Sequence, residues 1–249
     1  MNAVLESIVK TRCTVLQTGE EVTVSSDIDE ACGRVLQRAI QASRPRVGVE
    51  VGLAFGISTL YILEAMNDCG GEKLIGMDPA QHDRYWRGGG LQNIRRAGYE
   101  RLYEFHEDTS QQVLPRLVSQ GQRIEFAFID GWHTFDHTLI DFFYIDQMLA
   151  VGGIVVFDDV GYPAIRRVCD FVIANRDYEI FDCVRLEGRS GFNVNMKYKL
   201  NRWFAPLLRT DKTPSLETQR KEHQLRDVYF LALRKVSDDQ RRFDHFIHF

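Results

Sequence analysis

The chain has 249 residues, a formal net charge of −4 and 44% hydrophobic residues. This length allows a substantial buried core in one large domain or two small ones, and the composition is typical of a soluble globular protein. The slight acidic excess disfavours a general nucleic-acid or membrane-surface binder, so we expect neither as a partner.

Cysteine usage and the first residues bear on the cellular compartment. The cysteines are scattered and have no C-x-x-C spacing, at positions 13, 32, 69, 169 and 183. This pattern predicts reduced core thiols in a cytoplasmic protein rather than a disulfide framework or a zinc site. No basic region precedes an apolar run at the start, and no apolar run has the length of a membrane span, so neither a signal peptide nor an anchor is predicted.

The first 45 residues predict two helices. Residues 1–18 carry apolar side chains at helical spacing, and a second helix is expected from a cap at Ser26 or Asp27 to about Ala42. Pro45 then ends the helical region, and the chain enters its first predicted strand.

From residue 46 onward, predicted strands alternate with predicted helices, which indicates a doubly wound, mostly parallel α/β sheet. The strands cover 47–51, 73–78, 102–106, 124–130, 154–157, 179–184 and 228–233, and the helices cover 57–67, 91–97, 110–120, 134–149 and 163–175. No composition break divides the chain, so we predict one domain, 1–249. Its parts are N-terminal helices at 1–45, a core at 46–185, an insertion at 186–227, and a closing strand with tail at 228–249.

A glycine turn follows the first strand of the core. Gly52 and Gly56 allow a tight turn and a close approach of the backbone, and a helix begins at Ile57 with its free N–H groups facing the turn. Such a turn can bind a phosphate or a carboxylate. With Glu50 and Ser58 the pattern is E-x-G-x-x-x-G-x-S, which differs from the G-x-G-x-x-G of dinucleotide-binding proteins.

Acidic residues follow three of the predicted strands. In parallel sheets, ligands bind beyond the carboxyl ends of the strands, so these side chains indicate a site along one rim. Asp78 can accept hydrogen bonds from ribose hydroxyls, or it is a solvated turn residue before Pro79. Asp130, Asp158 and Asp159 can share Mg²⁺ or another hard divalent cation, or the last two only cap a turn.

Two further residues lie on the loop after Asp130. His133 can take a proton from a substrate hydroxyl beside a metal, although a lone histidine can also be structural. Trp132 offers a flat face on which a purine can stack, or it is a packing residue.

Taken together, these motifs resemble the class I S-adenosylmethionine-dependent methyltransferases. Within that class they are most similar to the metal-dependent small-molecule O-methyltransferases, which include catechol O-methyltransferase and the macrocin-type antibiotic-sugar enzymes. The resemblance extends from about Arg46 to Val160 and is carried by Glu50-x-Gly52 through Ser58, Asp78, Asp108-Thr109-Ser110-Gln111, Phe128-Ile129-Asp130-Gly131-Trp132-His133 and Gly152-Gly153 through Asp158-Asp159.

The resemblance implies a Rossmann-like fold of seven strands with the last strand antiparallel. It also implies roles for the motif residues in binding S-adenosylmethionine and Mg²⁺. The glycine turn with Glu50, Gly52, Gly56 and Ser58 would hold the methionine part, Asp78 the ribose, and Ser110 and Trp132 would border the adenine. Asp108 would also belong to the cofactor-binding residues. Asp130, Asp158 and Asp159 would bind Mg²⁺, and His133 or Asp130 would serve in catalysis on a hydroxyl of a small molecule.

Two positions depart from the catechol-type pattern. Asp159 replaces an Asn, as in the antibiotic-sugar branch, and His133 replaces a Lys, so the base is open among His133, Asp130 and bulk water. Residues 84–90 and the insertion, with Tyr198, Trp203 and Phe204, are candidate lids or contacts in a homo-oligomer.

Other function classes fit parts of the pattern. An NAD-dependent oxidoreductase is one alternative. The missing third glycine of the dinucleotide pattern and the cluster of carboxylates both count against it. A metal-dependent hydrolase or hydroxylase-like relative on the same fold would make Asp78 and Trp132 incidental, and a non-catalytic module could retain the cofactor site alone.

Overall fold

A seven-stranded sheet forms the centre of the computed structural model, which describes residues 1–25, 28–186, 225 and 227–249. A two-stranded hairpin, β1 and β2, lies outside the sheet. The strands are β1 (Cys13–Val15), β2 (Glu21–Thr23), β3 (Val47–Val51), β4 (Lys73–Met77), β5 (Tyr103–His106), β6 (Ile124–Ile129), β7 (Leu149–Phe157), β8 (Tyr178–Arg185) and β9 (Val228–Lys235).

The strand order across the sheet is β5-β4-β3-β6-β7-β9-β8. The pairs from β5 to β7 are parallel, and β9 runs antiparallel to both β7 and β8. The predicted α/β class, the mostly parallel seven-stranded sheet and the antiparallel last strand are therefore confirmed. The strand order reverses between β3 and β6, the place where open α/β sheets bind ligands.

Helices cover both faces of the sheet, as alternating strands and helices require. They are α1 (Ala3–Thr11), α2 (Glu30–Ser43), α3 (Ile57–Cys69), α4 (Gly89–Arg96), α5 (Ser110–Ser119), α6 (Phe135–Met148) and α7 (Pro163–Asn175). Side chains alternate along each strand, so Phe126 and Phe128 of β6 join the core under α1–α4. Ala127 and Ile129 join the core under α5–α7.

The predicted helix over residues 1–18 is wrong beyond Thr11. Arg12 takes a left-handed conformation with φ of 59°, which ends α1, and the chain then forms the hairpin around Gly19. Residues 13–15 include two β-branched side chains, which favour an extended backbone. The helix therefore ends about two turns earlier than the pattern of apolar residues suggested.

Three smaller boundaries also differ. The second helix begins at Glu30 with Asp29 as its cap, since the Asp29 carboxylate accepts a hydrogen bond from the Cys32 N–H; Ser26 and Asp27 lie outside the described residues. The fifth strand of the core starts at Leu149 instead of Ile154, so the Gly152-Gly153 pair lies inside β7. The helix predicted at 91–97 starts at Gly89, which shortens the predicted loop before it.

All five cysteines are free thiols, and two of them, Cys32 and Cys169, are buried. Among the described helices, none is long and apolar enough to cross a membrane. The insertion predicted as a lid, with Tyr198, Trp203 and Phe204, lies outside the described residues.

Candidate cofactor and metal site

The carboxyl ends of four neighbouring strands bring most of the predicted site residues to one rim. Backbone hydrogen bonds continue past the strands: Gly52 N–H donates to Met77 O at 2.9 Å and Asp130 N–H to Val51 O at 2.9 Å. Asp158 N–H donates in the same way to Ile129 O at 3.2 Å. These bonds place Gly52, Asp78, Asp130 and Asp158 side by side, as the sequence predicted from the parallel sheet.

Gly52 is the closest contact between the glycine turn and the acidic part of the rim. Its φ is +94°, and a Cβ there would lie 2.1 Å from the backbone oxygen of Asp130. No side chain fits that space, and L residues disfavour the conformation. Gly52 therefore allows the backbone after β3 to contact the backbone of Asp130 after β6.

Asp78 holds the glycine turn in place. Its Oδ2 accepts hydrogen bonds from the N–H groups of Leu53 at 3.1 Å and Ala54 at 3.0 Å. Its Oδ1 accepts from the Ala80 N–H at 2.8 Å. The predicted ribose-binding carboxylate thus also organises the turn, and the lone pairs that remain on its oxygens are available to ligand hydroxyls.

Two buried amide side chains, which sequence reasoning missed, hold the carbonyl groups of the same turn. Gln81 Nε2 donates to Ala54 O at 2.9 Å, and Asn93 Nδ2 donates to Phe55 O at 3.0 Å. Both side chains are fully buried. The available signal was Asn93, a polar residue at an inward position of α4 next to the buried Ile94.

Glu50 and Ser58 lie beneath the turn and bind each other. Ser58 Oγ donates to Glu50 Oε1 at 2.8 Å, and Glu50 has no exposed surface. Burial raises the pKa of Glu50 to about 8, since a charged carboxylate there loses its hydration. The structure therefore brings this predicted pair together with Glu50 largely protonated at neutral pH.

The residues predicted to border the adenine lie on the loops after β5 and β6. Ser110 begins α5 and is buried, whereas Trp132 is 70% exposed on the loop after β6. Asp108 Oδ1 accepts a hydrogen bond from the Thr109 N–H at 2.8 Å and so shapes the entry to α5. The exposed indole face leaves Trp132 free to stack on a planar ring.

Asp130, His133 and Asp159 form a compact cluster at the end of β6 and β7. One ligand atom from each lies within 4.8 Å of the other two. His133 stands between the acids, with Nε2 at 3.3 Å from Asp130 Oδ1 and Nδ1 at 3.1 Å from Asp159 Oδ2. The hydrogen bond to Asp130 raises the pKa of His133 above its usual value.

Asp158 lies beside this cluster but outside the trio. Its Oδ1 accepts a hydrogen bond from the Asp159 N–H at 2.7 Å. Burial, and then the charges of Asp130 and Asp159, raise the pKa of Asp158 well above its usual value. Burial also raises the pKa of Asp130 and of Asp159.

The donor set fits a divalent cation. Two or three carboxylates offer oxygen ligands, and the His133 imidazole can serve either as a ligand or as a base. Burial raises the pKa of these carboxyl groups, and a bound cation would offset the cost of holding them ionised. The structure thus brings together the predicted metal residues Asp130 and Asp159 with His133, the predicted base, and keeps Asp158 adjacent.

Comparison with known proteins gives three kinds of similarity. Residues 49–160 match a family model described as a methyltransferase domain. Among curated proteins, a putative caffeoyl-CoA O-methyltransferase of Arabidopsis thaliana is 24% identical over 152 residues, which are 59% of this chain. The aligned region spans only 60% of the length of that relative.

Solved structures of similar fold cover nearly the whole chain. An O-methyltransferase from Bacillus cereus in complex with SAH has a TM-score of 0.63 at 15% identity, covering 94% of this chain and 92% of the other. TomG of Streptomyces achromogenes, an O-methyltransferase involved in tomaymycin synthesis and solved with SAM, has a TM-score of 0.62 at 16% identity. The matched parts are 94% of this chain and 91% of TomG.

Proposed function

We propose that this chain, a class I methyltransferase by its matched domain and by its fold, transfers the methyl group of S-adenosylmethionine to a hydroxyl oxygen of a small molecule beside a bound divalent cation such as Mg²⁺. The match of residues 49–160 to a methyltransferase domain supports the methyltransferase part of this proposal. The cofactor, the cation and the hydroxyl acceptor are parts of the proposal.

One observation carries the proposal: Asp130 belongs to both halves of the site. Its backbone oxygen packs against Gly52 of the glycine turn, and its carboxylate joins His133 and Asp159 in the candidate cation cluster. A nucleoside cofactor above the turn and a cation in the cluster would therefore lie next to each other. Adjacent pockets of this kind suit a reaction between a cofactor and a metal-held oxygen.

The chain's own residues supply binding and proton transfer. The glycine turn, with Ser58 beneath it, would lie against the methionine part, Asp78 would hold the ribose hydroxyls, and Ser110 and Trp132 would border the adenine. S-adenosylmethionine supplies an electrophilic methyl group on a sulfonium, and Mg²⁺ supplies positive charge that lowers the pKa of a nearby hydroxyl. The residues of the cluster would hold the acceptor hydroxyl towards that methyl group, and one of them would act as the base that takes the proton lost by the oxygen.

His133 is the first candidate for that base. A basic imidazole near the cation cluster can take the hydroxyl proton, and the Asp130 carboxylate would stabilise the imidazolium that forms. Asp130 itself is the second candidate because its oxygen lies in the same cluster. A general base of this kind contributes roughly 10²–10⁴-fold to rate.

The class of acceptor follows from the relatives only at a coarse level. Caffeoyl-CoA and the tomaymycin pathway, named for two of them, both concern small organic molecules. We therefore propose a small-molecule acceptor. From the slight acidic charge and the scattered cysteines we also propose that neither nucleic acid nor membrane is a partner and that the location is cytoplasmic.

The experiment is methyl transfer from labelled S-adenosylmethionine to a panel of sugars, phenols and other hydroxyl compounds. We expect turnover that a chelator abolishes and added Mg²⁺ restores. In Asp159→Ala the Mg²⁺-dependent turnover should be lost, whereas affinity for S-adenosylhomocysteine should stay near that of the parent. Asp136→Ala, an exposed acid on the next helix, is the matched control. Turnover that is unchanged by chelator would remove the metal from the proposal.

A further inference from the structure

A polar side chain of the β1–β2 hairpin is buried against α4. Thr14, in the middle of β1, is 3% exposed, whereas its neighbours Cys13 and Val15 are half-buried and exposed. Valine has nearly the same shape and suits an inward strand position without a hydroxyl that needs a partner. The hydroxyl of Thr14 is therefore explained by what it contacts.

Thr14 makes a buried hydrogen bond to the side chain of Asn93. Thr14 Oγ1 and Asn93 Oδ1 are 2.6 Å apart, and Asn93 has no exposed surface. Because Asn93 Nδ2 donates to Phe55 O at 3.0 Å, its Oδ1 can only accept, so Thr14 donates the proton. The Arg96 guanidinium faces both oxygens, at 3.4 Å from each. A reversed amide would present N–H groups to Arg96 and its oxygen to the Phe55 carbonyl, so these contacts define one orientation.

The Asn93 amide reaches the last peptide group of the glycine turn. Phe55 O accepts from Asn93, and the N–H of Gly56, in the same peptide group, donates to Leu53 O at 2.7 Å. Both polar atoms of this peptide group are therefore fixed immediately before α3 begins at Ile57. The orientation of this peptide group sets the direction of the first N–H groups of α3.

Two further contacts hold the hairpin to α4 and to the segment before it. The Arg87 guanidinium binds both carboxylate oxygens of Glu20, directly before β2. Leu16 is buried, and its Cδ2 lies 3.3 Å from the position of a Cβ on Gly89, which the Phe55 ring approaches to 2.8 Å. Gly89 thus leaves room for one residue of the hairpin and one residue of the glycine turn.

We propose that Thr14 is a positioning residue of the cofactor site: its hydroxyl orients the Asn93 amide, so that docking of the hairpin gives the glycine turn the shape that binds the cofactor. The inference rests on the proposed function, because it takes the turn as the place where S-adenosylmethionine binds. It assigns a role to a segment outside residues 49–160, which match the methyltransferase domain. A purely structural Thr14 would affect stability and leave the affinity of the folded protein for the cofactor unchanged.

The test is calorimetric titration of Thr14→Val and Thr14→Ser with S-adenosylhomocysteine, at a temperature where circular dichroism shows both variants to be folded. Thr14→Val keeps the shape and removes the donor, so its affinity should be at least about fivefold weaker than that of the parent. Thr14→Ser keeps the hydroxyl, so its affinity should be close to that of the parent. Thr23→Val, exposed on the other strand of the hairpin, is the matched control and should bind as the parent does.

A double-mutant cycle with Asn93→Ala tests whether the hydroxyl acts through the amide. In the Asn93→Ala background, Thr14→Val should weaken binding little further, because the amide that the hydroxyl orients is gone. Losses of affinity that multiply across the two substitutions would overturn the inference.

Amide hydrogen exchange of the parent is a second measurement that needs no variant. If docking of the hairpin strengthens cofactor binding, then binding opposes undocking by the same factor, and an isolated two-stranded hairpin is only marginally stable. The Leu16 N–H, which donates to Glu20 O at 2.9 Å, should therefore exchange at least about fivefold more slowly with S-adenosylhomocysteine bound. The Leu186 N–H, which donates to Asp227 O at 2.8 Å beyond the opposite edge of the sheet, is the reference and should change little.

The outcomes separate this inference from the proposed function. Absence of binding by the parent would overturn the proposed function, and this inference with it. Binding by the parent together with equal affinity in Thr14→Val would overturn only the role of Thr14. If Thr14→Val does not fold, the exchange measurement decides: unchanged exchange at Leu16 on binding would overturn the inference, and slower exchange there than at the reference would support it.

Discussion

Gln81 donates its side-chain amide to the carbonyl oxygen of Ala54 across 2.9 Å, in the middle of the turn that follows β3. Ala54 has a φ of 47°, a left-handed conformation that costs a non-glycine residue about 1–2 kcal/mol. Gln81 also accepts from the Gly90 N–H at 2.9 Å, so it ties the turn to the start of α4. The turn therefore has its shape before a ligand arrives.

We predict that Gln81→Ala and Asn93→Ala each weaken binding of S-adenosylhomocysteine. Each substitution leaves a buried carbonyl of the turn without its donor, which costs ~1–3 kcal/mol. Part of that cost lowers the stability of the folded protein, and part lowers the affinity for the ligand because the turn loses its shape. Calorimetry for affinity and thermal unfolding for stability measure the two parts.

Gln92→Ala is the matched control for these substitutions, because Gln92 is the partly exposed neighbour of Asn93 on α4. It should leave both readouts close to those of the parent. Equal affinity in all three variants would show that the buried amides do not organise the turn.

A second prediction compares two glycines of similar backbone conformation. Gly52 has φ +94° and no room for a Cβ, whereas Gly70 has φ +77° and nothing within 4 Å of the Cβ position. Gly70→Ala should cost only the left-handed strain, about 1–2 kcal/mol of unfolding free energy. Gly52→Ala adds a clash with the Asp130 backbone, so it should cost clearly more and also weaken cofactor binding.

Denaturant unfolding of the two variants checks this difference. Equal destabilisation would mean that the approach of the glycine turn to Asp130 is looser than the distances indicate.

Glu50 gives a prediction about pH. Its pKa is raised from 4.5 to about 8 in the folded state, so folding holds a proton that the unfolded chain releases above pH 4.5. Its contribution to stability is therefore complete below pH 4.5 and is lost as the pH rises towards 8. In Glu50→Gln, which resembles the protonated acid, this loss should disappear.

The measurement is the free energy of unfolding between pH 5 and pH 8.5 for the parent and for Glu50→Gln. We expect the difference between the two curves to widen through this window with a slope approaching that of one proton. Other buried acids titrate in both proteins, so they cancel in the difference. Parallel curves would contradict a raised pKa at Glu50.

A buried ionic network far from the candidate site supports the opposite end of the sheet. Asp146 accepts a hydrogen bond from Tyr178 Oη at 2.5 Å, and it also contacts Arg176 and Lys235. Asp146→Ala leaves two buried cations without this counter-charge, and loss of one partner of a buried pair typically costs about 3–5 kcal/mol.

We therefore predict a large loss of unfolding free energy in Asp146→Ala, measured by denaturant titration. Asp238→Asn removes an exposed partner of the same Lys235 and should cost at most ~1 kcal/mol. A similar small loss in both variants would show that the buried network contributes little.

The sheet, the glycine turn and the acidic strand ends could be predicted from the sequence, because each of them follows from a local pattern of residues. Val49 and Val51 are buried in the parallel strand β3, as the β-branched residues of this stretch predicted, and Gly52 marks the turn that follows. The acidic residues at the strand ends meet because parallel strands present the same end to one rim. The resemblance to methyltransferases followed from those positions, and residues 49–160 match the model of a methyltransferase domain.

Other features depend on tertiary contacts that no local pattern encodes. Gln81 and Asn93 form buried hydrogen bonds to residues far away along the chain. In the sequence they are therefore only two polar residues, with no local pattern that indicates their partners. Asp158 and Asp159 are adjacent in sequence, yet of these two only Asp159 belongs to the cluster with Asp130 and His133. The left-handed backbone of Asp159, with φ of 53°, is not indicated by the sequence.

Calorimetric titration of the whole chain with S-adenosylhomocysteine decides whether this rim of the sheet is a cofactor site. We expect one binding site per chain, with affinity that falls when Asp78 is replaced by Ala, because that carboxylate holds the turn and would also hold the ribose hydroxyls. Absence of binding at high micromolar concentrations of the ligand would contradict this expectation.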